Sequence, residues 1–370
     1  MIRVSLTLAF VLTACSSQVA PAQSASPFVT TPVATFDSPW AMTFLPERGV
    51  AMALVTEKGG KLWLVDTTTG KRTPVSGTPK VDDGGQGGLG DVIIHPDFAN
   101  NGFVYLSWVE AGDGDTRGAA VGRAKLVTES GAARIEGLQV IWRQEAKVTG
   151  RGHFGHRLAF GPDGMLYISS GDRQKFTPAQ DMGSNLGKII RLTDGGMVPS
   201  DNPFYDQGRI KSQIWTSGQR NPLGIAFDAQ GRLWAQEMGP KGGDELNVIV
   251  KGKNYGYPIV SNGDHYDGRD IPDHNTRPEF EAPKVSWTPV ISPAGLIVYS
   301  GDKFPAWKGN IFIGGLSSQA LIRVTVDGDT AKETERYDMG TRIREVEQGP
   351  DGALWLLEDE GRLLKLTPKP

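Results

Sequence analysis

Six times along this chain, an apolar stretch runs into a turn rich in Pro, Asp and Gly, and a second apolar stretch carrying Trp or Tyr follows. The pattern reads apolar-x-Phe/Ile-x-Pro-x-x-Gly-x-Leu/Val-Trp/Tyr-x-apolar. Its copies are residues 41–46 leading to 61–65, 91–96 leading to 103–108, 157–169, 224–235, 295–299 leading to 310–314, and 344–357. Each is two short strands around a turn, and further strands follow at 321–326 and 361–366. No such unit buries both of its faces alone, so neighbouring copies must stack to make a core. Repeats spaced roughly 50 to 70 residues apart suit a propeller of four-stranded blades. The expected fold is an all-β, six-bladed β-propeller of four-stranded antiparallel blades, with residues 29–36 completing the last blade. A pair of β-sandwiches gives no reason for the repeat. Only 202–212 and 330–336 carry even a short helical pattern.

At 370 residues the chain is long for one domain, but closed all-β folds reach this size. Forty-eight Gly and 24 Pro suit many short strands joined by turns, and the apolar content is too high for disorder. A net charge of −3 supplies no basic field for nucleic acid. Residues 1–14 read as a lipoprotein signal peptide, with Arg3 ahead of an apolar core and Leu12-Thr-Ala-Cys15 at its end. Cys15 is the only cysteine, so no intrachain disulfide forms. Residues 15–28 form a flexible tether, and 29–370 the propeller. This places the protein in the cell envelope, periplasmic and anchored to the outer membrane, touching the membrane only through lipid on Cys15.

The polar, Gly-rich segments 84–90, 151–157, 217–224, 288–295 and 341–344 each sit beside the first strand of a unit, so they are expected to converge on one face. His153 precedes one first strand and Asp172 follows its partner. An antiparallel hairpin brings both to one rim, where a neutral imidazole beside a carboxylate serves as a general base. A metal pair of His153 and His156 lacks the spacing that zinc requires. Gln86 is framed by glycines that let a ligand approach the backbone. Arg220 and Asn221 stand together before another first strand. Arg342 and Arg344, at i and i+2, face the same way on an extended segment. Three arginines on one rim imply an anionic ligand. The turn-rich 239–247 and 254–258 offer oxygen atoms that suit Ca²⁺, although a structural turn explains them as well.

The segments GGQGGLGDVIIHPDF, GHFGHRLAFGPDGMLYISSGDR, SGQRNPLGIAFD, GPKGGDELN, NYGYP and RIREVEQGPDG, in this order from about Pro39 onward, resemble the soluble quinoprotein aldose (glucose/sorbosone) dehydrogenases. The resemblance implies a six-bladed propeller that uses pyrroloquinoline quinone (PQQ) and Ca²⁺ to oxidise the C1 hydroxyl of aldose sugars to the lactone. It implies His153 as the base, Asp172 as the group orienting it, and Arg220 as a further catalytic residue. Cofactor contacts fall on Gln86, Arg220, Asn221, Arg342 and Arg344, and more loosely on Tyr266. The cofactor Ca²⁺ falls on the carbonyls of Gly239 and Pro240, and a second Ca²⁺ on Glu245 and Tyr255. Ser317 stands where glucose dehydrogenase has a cofactor-binding Lys, which shifts charge compensation onto Arg342 and Arg344. A glycine of the usual His-x-Gly-Gly-Arg is here His156, which narrows the pocket or adds a titrating group. Trp287 walls the pocket or packs in the core. The electron acceptor is unknown, and a monomer or a homodimer fits equally. The rival readings are a calcium-dependent propeller lactonase and a non-catalytic propeller binding module.

Overall fold

The computed structural model describes residues 26–46 and 51–370. The signal segment 1–14, Cys15 and nearly all of the tether lie outside the described residues. The described chain is nearly all-β, with two α-helical turns at Phe98–Asn101 and Arg209–Gln213 and short 3-10 turns besides. No described helix is long and apolar enough to cross a membrane.

Apart from the two-residue strands Lys241–Gly242 and Gly263–Asp264, which pair with each other, the strands fall into antiparallel groups of four. One group is Pro39–Phe44, Met52–Glu57, Leu62–Asp66 and Arg72–Ser76, and the next is Leu89–Ile94, Phe103–Ala111, Arg117–Glu129 and Ala132–Arg143. A short parallel pairing, Val75 with Ala133 and Ser76 with Arg134, merges these two into an eight-stranded sheet. Then come Gly155–Phe160 with Leu166–Ser170, Lys188–Leu192 and Ile214–Ser217, and Pro222–Phe227 with Leu233–Glu237, Asp244–Ile249 and Val285–Trp287. Pro293–Val298 leads Ile311–Gly315, Ala320–Asp327 and Thr330–Asp338. Finally, Ile343–Gln348, Leu354–Glu358 and Arg362–Pro368 take their fourth strand, Phe28–Thr35, from the other end of the chain.

The first strands pack side by side in a closed circuit, from Pro39–Phe44 round to Ile343–Gln348 and back. A hydrophobic cluster fills each gap between neighbouring groups. Trp40, Leu54, Val92 and Val104 share the first gap, Tyr105, Trp142, Leu158 and Ile190 the second, and Tyr167, Ile189, Ile225 and Leu233 the third. Trp234, Leu246, Trp287 and Ile313 follow, then Phe312, Leu321, Val346 and Leu354, and Val55, Val65, Trp355 and Leu357 close the circuit. The second strands Leu166–Ser170 and Leu354–Glu358 are buried throughout, and both begin with the apolar run that burial on two faces demands before ending in buried polar residues. Burial of each large apolar side chain contributes about 1.5–3 kcal/mol, so every gap is a substantial adhesive surface.

Two expectations change. Residues 330–336 belong to the strand Thr330–Asp338, paired across a tight turn with Ala320–Asp327; the Asp-Gly-Asp-Thr turn there is a hairpin signal. In the first copy of the repeat, the partner of Pro39–Phe44 is Met52–Glu57, and the Trp63 stretch is the third strand. That second strand has no Trp or Tyr to mark it.

Candidate active site

Because first and second strands run antiparallel, the entry of each first strand and the exit of each second strand open onto one face. Near that end, every first strand carries a register irregularity. Such bulges re-aim side chains beside functional sites. His156 and Arg157 stand in the irregularity of Gly155–Phe160, and Arg344 in that of Ile343–Gln348.

His153 and Asp172 meet as the hairpin requires. The His153 Nδ1 donates to Asp172 Oδ1 at 2.7 Å. Asp172 is fully buried and also accepts the N–H groups of Gln174 and Phe176, at 2.9 and 3.2 Å. A carboxylate loaded in this way fixes the imidazole proton on Nδ1 and leaves the Nε2 lone pair free. Burial pulls His153 below its ordinary pKa, the Asp172 hydrogen bond opposes this, and the Arg220 charge adds to it. The ring is therefore neutral at pH 7. His153 adopts φ of +53°, and its N–H donates to Gln86 Oε1 at 2.7 Å, so Gln86 fixes the main chain of the base.

His153, Phe176, Arg220, Pro240, His265 and Tyr266 line a cavity of about 260 Å³. Tyr266 is 74% exposed, with its ring 5.9 Å from the Arg220 guanidinium. The larger neighbouring cavity, about 460 Å³, is lined by Trp40, Lys58, Gln86, His156, Arg342, Arg344 and Asp359 among others. That volume lies within the range of ~300–1,000 Å³ usual for cofactor sites. A narrow pocket between Arg220, Glu237, Gly239, Pro240, Glu245 and Tyr255 completes the face.

Arg342 and Arg344 do point together, and both hold one carboxylate. Their Nε atoms donate to the two oxygens of Asp359 at 2.7 and 2.8 Å. Lys58 lines the same cavity, donates to the Gly85 carbonyl at 2.7 Å, and has its pKa lowered by burial and then by Arg344. Three cations against one carboxylate leave two positive charges on this wall. Ser317 is exposed and donates to the Val290 carbonyl at 3.3 Å, while its neighbour Leu316 lines the cavity instead. Trp287 packs in the core, and its indole N–H donates to Glu333 at 2.6 Å. His156 lines the large cavity, and burial followed by the Arg157 charge lowers its pKa to about 3. It is therefore not a second titrating group near neutral pH.

Asn221 is fully buried, and neither atom of its amide has a partner; Arg220 Nε is likewise unpaired. An orphaned buried amide costs about 1–3 kcal/mol, which suits a residue kept for a ligand. In the narrow pocket, Glu245 is bonded to His274 and to Asn247, each at 3.2 Å, and Asn247 Oδ1 is unpaired. The Tyr255 hydroxyl is already engaged by Val248 and Val250. Glu237 accepts the N–H groups of Arg220 and Asn221, and burial together with Glu245 raises it to about 8. Among the described residues no three His, Cys, Asp or Glu side chains gather around a metal site. A cation here would rest on loop carbonyls with one or two carboxylates, a hard-oxygen set of the kind Ca²⁺ takes.

Lys58, Asp359, Glu237 and Trp40 were not singled out from the sequence. Lys58, like Asp172, Gly239 and Asp359, follows a second strand, and the misplaced second strand of the first repeat concealed it. Asp359 was open to the same argument, since it follows Leu354–Glu358 directly.

Residues 36–365 match the Glucose / Sorbosone dehydrogenase family, and the chain belongs to it. It is similar to the aldose sugar dehydrogenase YliI of Escherichia coli, 40% identical over 340 residues covering 90% of this chain and 91% of that one. The apo-form crystal structure of the soluble E. coli aldose sugar dehydrogenase superposes with a TM-score of 0.86 at 38% identity, over 92% of this chain and all of the other. The PQQ-bound aldose sugar dehydrogenase of Streptomyces coelicolor superposes with a TM-score of 0.74 at 28% identity, over 95% and 100%.

Proposed function

We propose that this protein is a PQQ-dependent aldose sugar dehydrogenase on a six-bladed propeller, each group of four strands being one blade, that oxidises the sugar C1 hydroxyl to the lactone. The observation that carries this reading is the neutral imidazole of His153, held by the buried Asp172 carboxylate, in one cavity beside a second of about 460 Å³ with a cationic wall. PQQ is a planar tricarboxylate, and Lys58, Arg342 and Arg344 offer the charge to hold it, with Gln86, Asn221 and Tyr266 adding neutral contacts. The carbonyls of Gly239 and Pro240 would hold its Ca²⁺, and Glu245 and the main chain of Tyr255 a second. When bound, PQQ with its Ca²⁺ supplies a two-electron acceptor for the hydride released from C1.

The protein's part is orientation, charge and one proton. His153 Nε2 takes the hydroxyl proton of the sugar, and Asp172 stabilises the imidazolium that results. Arg220, held by the Met238 carbonyl at 2.9 Å, places a fixed positive charge toward the reacting centre. Tyr266 and Phe176 offer aromatic faces at the entrance to the His153 cavity, where an aldose ring can lie. Adding PQQ and Ca²⁺ to the apo-protein is expected to produce dye reduction that depends on an aldose. Lactone hydrolysis without PQQ would overturn the reading in favour of a lactonase, and inertness toward both would favour a binding module.

The segment ending in Cys15 supports a further proposal, a lipid anchor that holds the enzyme at the envelope. Cys15→Ser is expected to release the protein from membranes.

A further inference from the structure

His156 is the residue in the catalytic hairpin that the proposed chemistry does not use. Its ring lies 5.0 Å from that of Trp40 at 15°, a stacked pair, and both residues line the large cavity. The Arg157 guanidinium lies 4.0 Å from the Trp40 ring centroid. The imidazole occupies the space beside Gly90, where a Cβ would come within 2.0 Å of His156 Cε1, so only glycine fits at that position. Two neighbouring strands and a backbone at φ of +60° thus hold the ring in one place.

The hydrogen bonds assign its tautomer. Ser107 is fully buried, and its Oγ accepts the Asp91 N–H at 2.8 Å. The other atom within bonding distance of that Oγ is His156 Nδ1, also at 2.8 Å. The arrangement that satisfies the buried hydroxyl proton has Oγ donating to Nδ1, which is then the bare nitrogen. The ring is neutral, so its proton sits on Nε2. Nε2 has no protein partner among the described residues, nor is it among the buried unpaired atoms, so it opens to the cavity that His156 lines.

We infer that His156 is a cofactor-positioning residue: locked against Trp40 and Ser107, it presents a neutral Nε2–H donor to an oxygen of the planar anionic cofactor. This rests on the PQQ reading above. Its use is geometric. Lys58, Arg342 and Arg344 attract an anion from one wall, and a directional donor from another blade sets how the plane sits. A neutral donor does so without adding charge.

The test is a PQQ titration with Ca²⁺ but without sugar or dye, followed by tryptophan fluorescence and the visible spectrum of the bound cofactor. His156→Phe keeps a ring over Trp40 and loses the donor, and is expected to weaken PQQ binding roughly tenfold. His156→Gln keeps an N–H and is expected to stay within about threefold of the native protein. Histidine ¹⁵N resonances of the native apo-protein, which need no variant, should show His156 protonated on Nε2 and that nitrogen shifting when PQQ is added. Native affinity in His156→Phe, or a proton found on Nδ1, would overturn this inference alone. Failure of the native protein to bind PQQ would overturn the proposed function, and this inference with it.

Discussion

The imidazole of His153 and the carboxylate of Asp172 lie 2.7 Å apart, and among the described residues the other hydrogen bonds to that carboxylate come from backbone N–H groups of the loop just beyond it. The carboxylate acts only as an acceptor. Asp172→Asn offers an amide that can donate, which frees the imidazole to take the wrong tautomer. Turnover with saturating PQQ and Ca²⁺ is expected to fall about 10²- to 10⁴-fold. His153→Ala should fall at least as far while its PQQ titration stays native. Near-normal turnover in either variant would remove the pair from the chemistry.

Burial outweighs Asp172 in setting the His153 pKa, so the acid limb of the kcat/KM profile is expected below the ordinary 6.5. Activity is full where the ring is neutral and falls as pH drops through the lowered value. A limb above 6.5 would mean that the carboxylate dominates instead.

His156 makes a separate prediction about stability. Its folded pKa is about 3 against 6.5 unfolded, so on acidification the unfolded chain takes up a proton that the folded chain refuses. The stability is complete above pH 6.5 and is lost progressively toward pH 3. At pH 5 the loss from this one group is about 2 kcal/mol. Denaturant unfolding at pH 7 and pH 5 should therefore show a drop about 2 kcal/mol smaller in His156→Phe than in the native protein. Equal drops would mean that the native ring gains its proton while folded.

Lys58 stands on the cavity wall with Arg342 and Arg344, whose charge Asp359 partly neutralises. Lys58→Met keeps most of the stem and removes the ammonium. Its PQQ dissociation constant is expected to rise about tenfold, the scale of one charge-assisted hydrogen bond. An unchanged constant would leave the arginines as the sole anchors.

For the narrow pocket the readout is thermal. Ca²⁺ at one hundred times its dissociation constant should stabilise the native protein by about 2.7 kcal/mol. Glu245→Ala should lose part of that gain, and chelation should bring the two proteins' responses together. The same Ca²⁺ shift in Glu245→Ala would place the ion elsewhere.

The hairpin rim was legible because strand, Pro-Asp-Gly turn and strand dictate where their ends go, whatever the rest of the chain does. The Gly239 carbonyl came from the resemblance alone, whereas the same logic located Gln86, Arg220 and Arg342. It did not reveal that one carboxylate spans Arg342 and Arg344, because register orders residues along a strand without saying what their side chains reach. The fate of His156 was equally hidden. Its neutrality follows from burial and the Arg157 charge, and its placement from Trp40 and Ser107, which come from two other repeats that no local pattern joins to it. Trp287 could be read either way until its neighbours in the core were known.

One consequence concerns force rather than chemistry. Phe28 is paired with Pro368 and Thr35 with Arg362, so the two free ends of this ladder lie together at the same extremity. A pull applied through both ends bears on a single pair at a time and opens the circuit like a zip. Each step from one group of four to the next is crossed by continuous chain, whereas this ladder lies inside the last group. If Cys15 is tethered to a membrane, the anchoring load arrives at this ladder, which joins the two ends of the described chain by hydrogen bonds and packing alone.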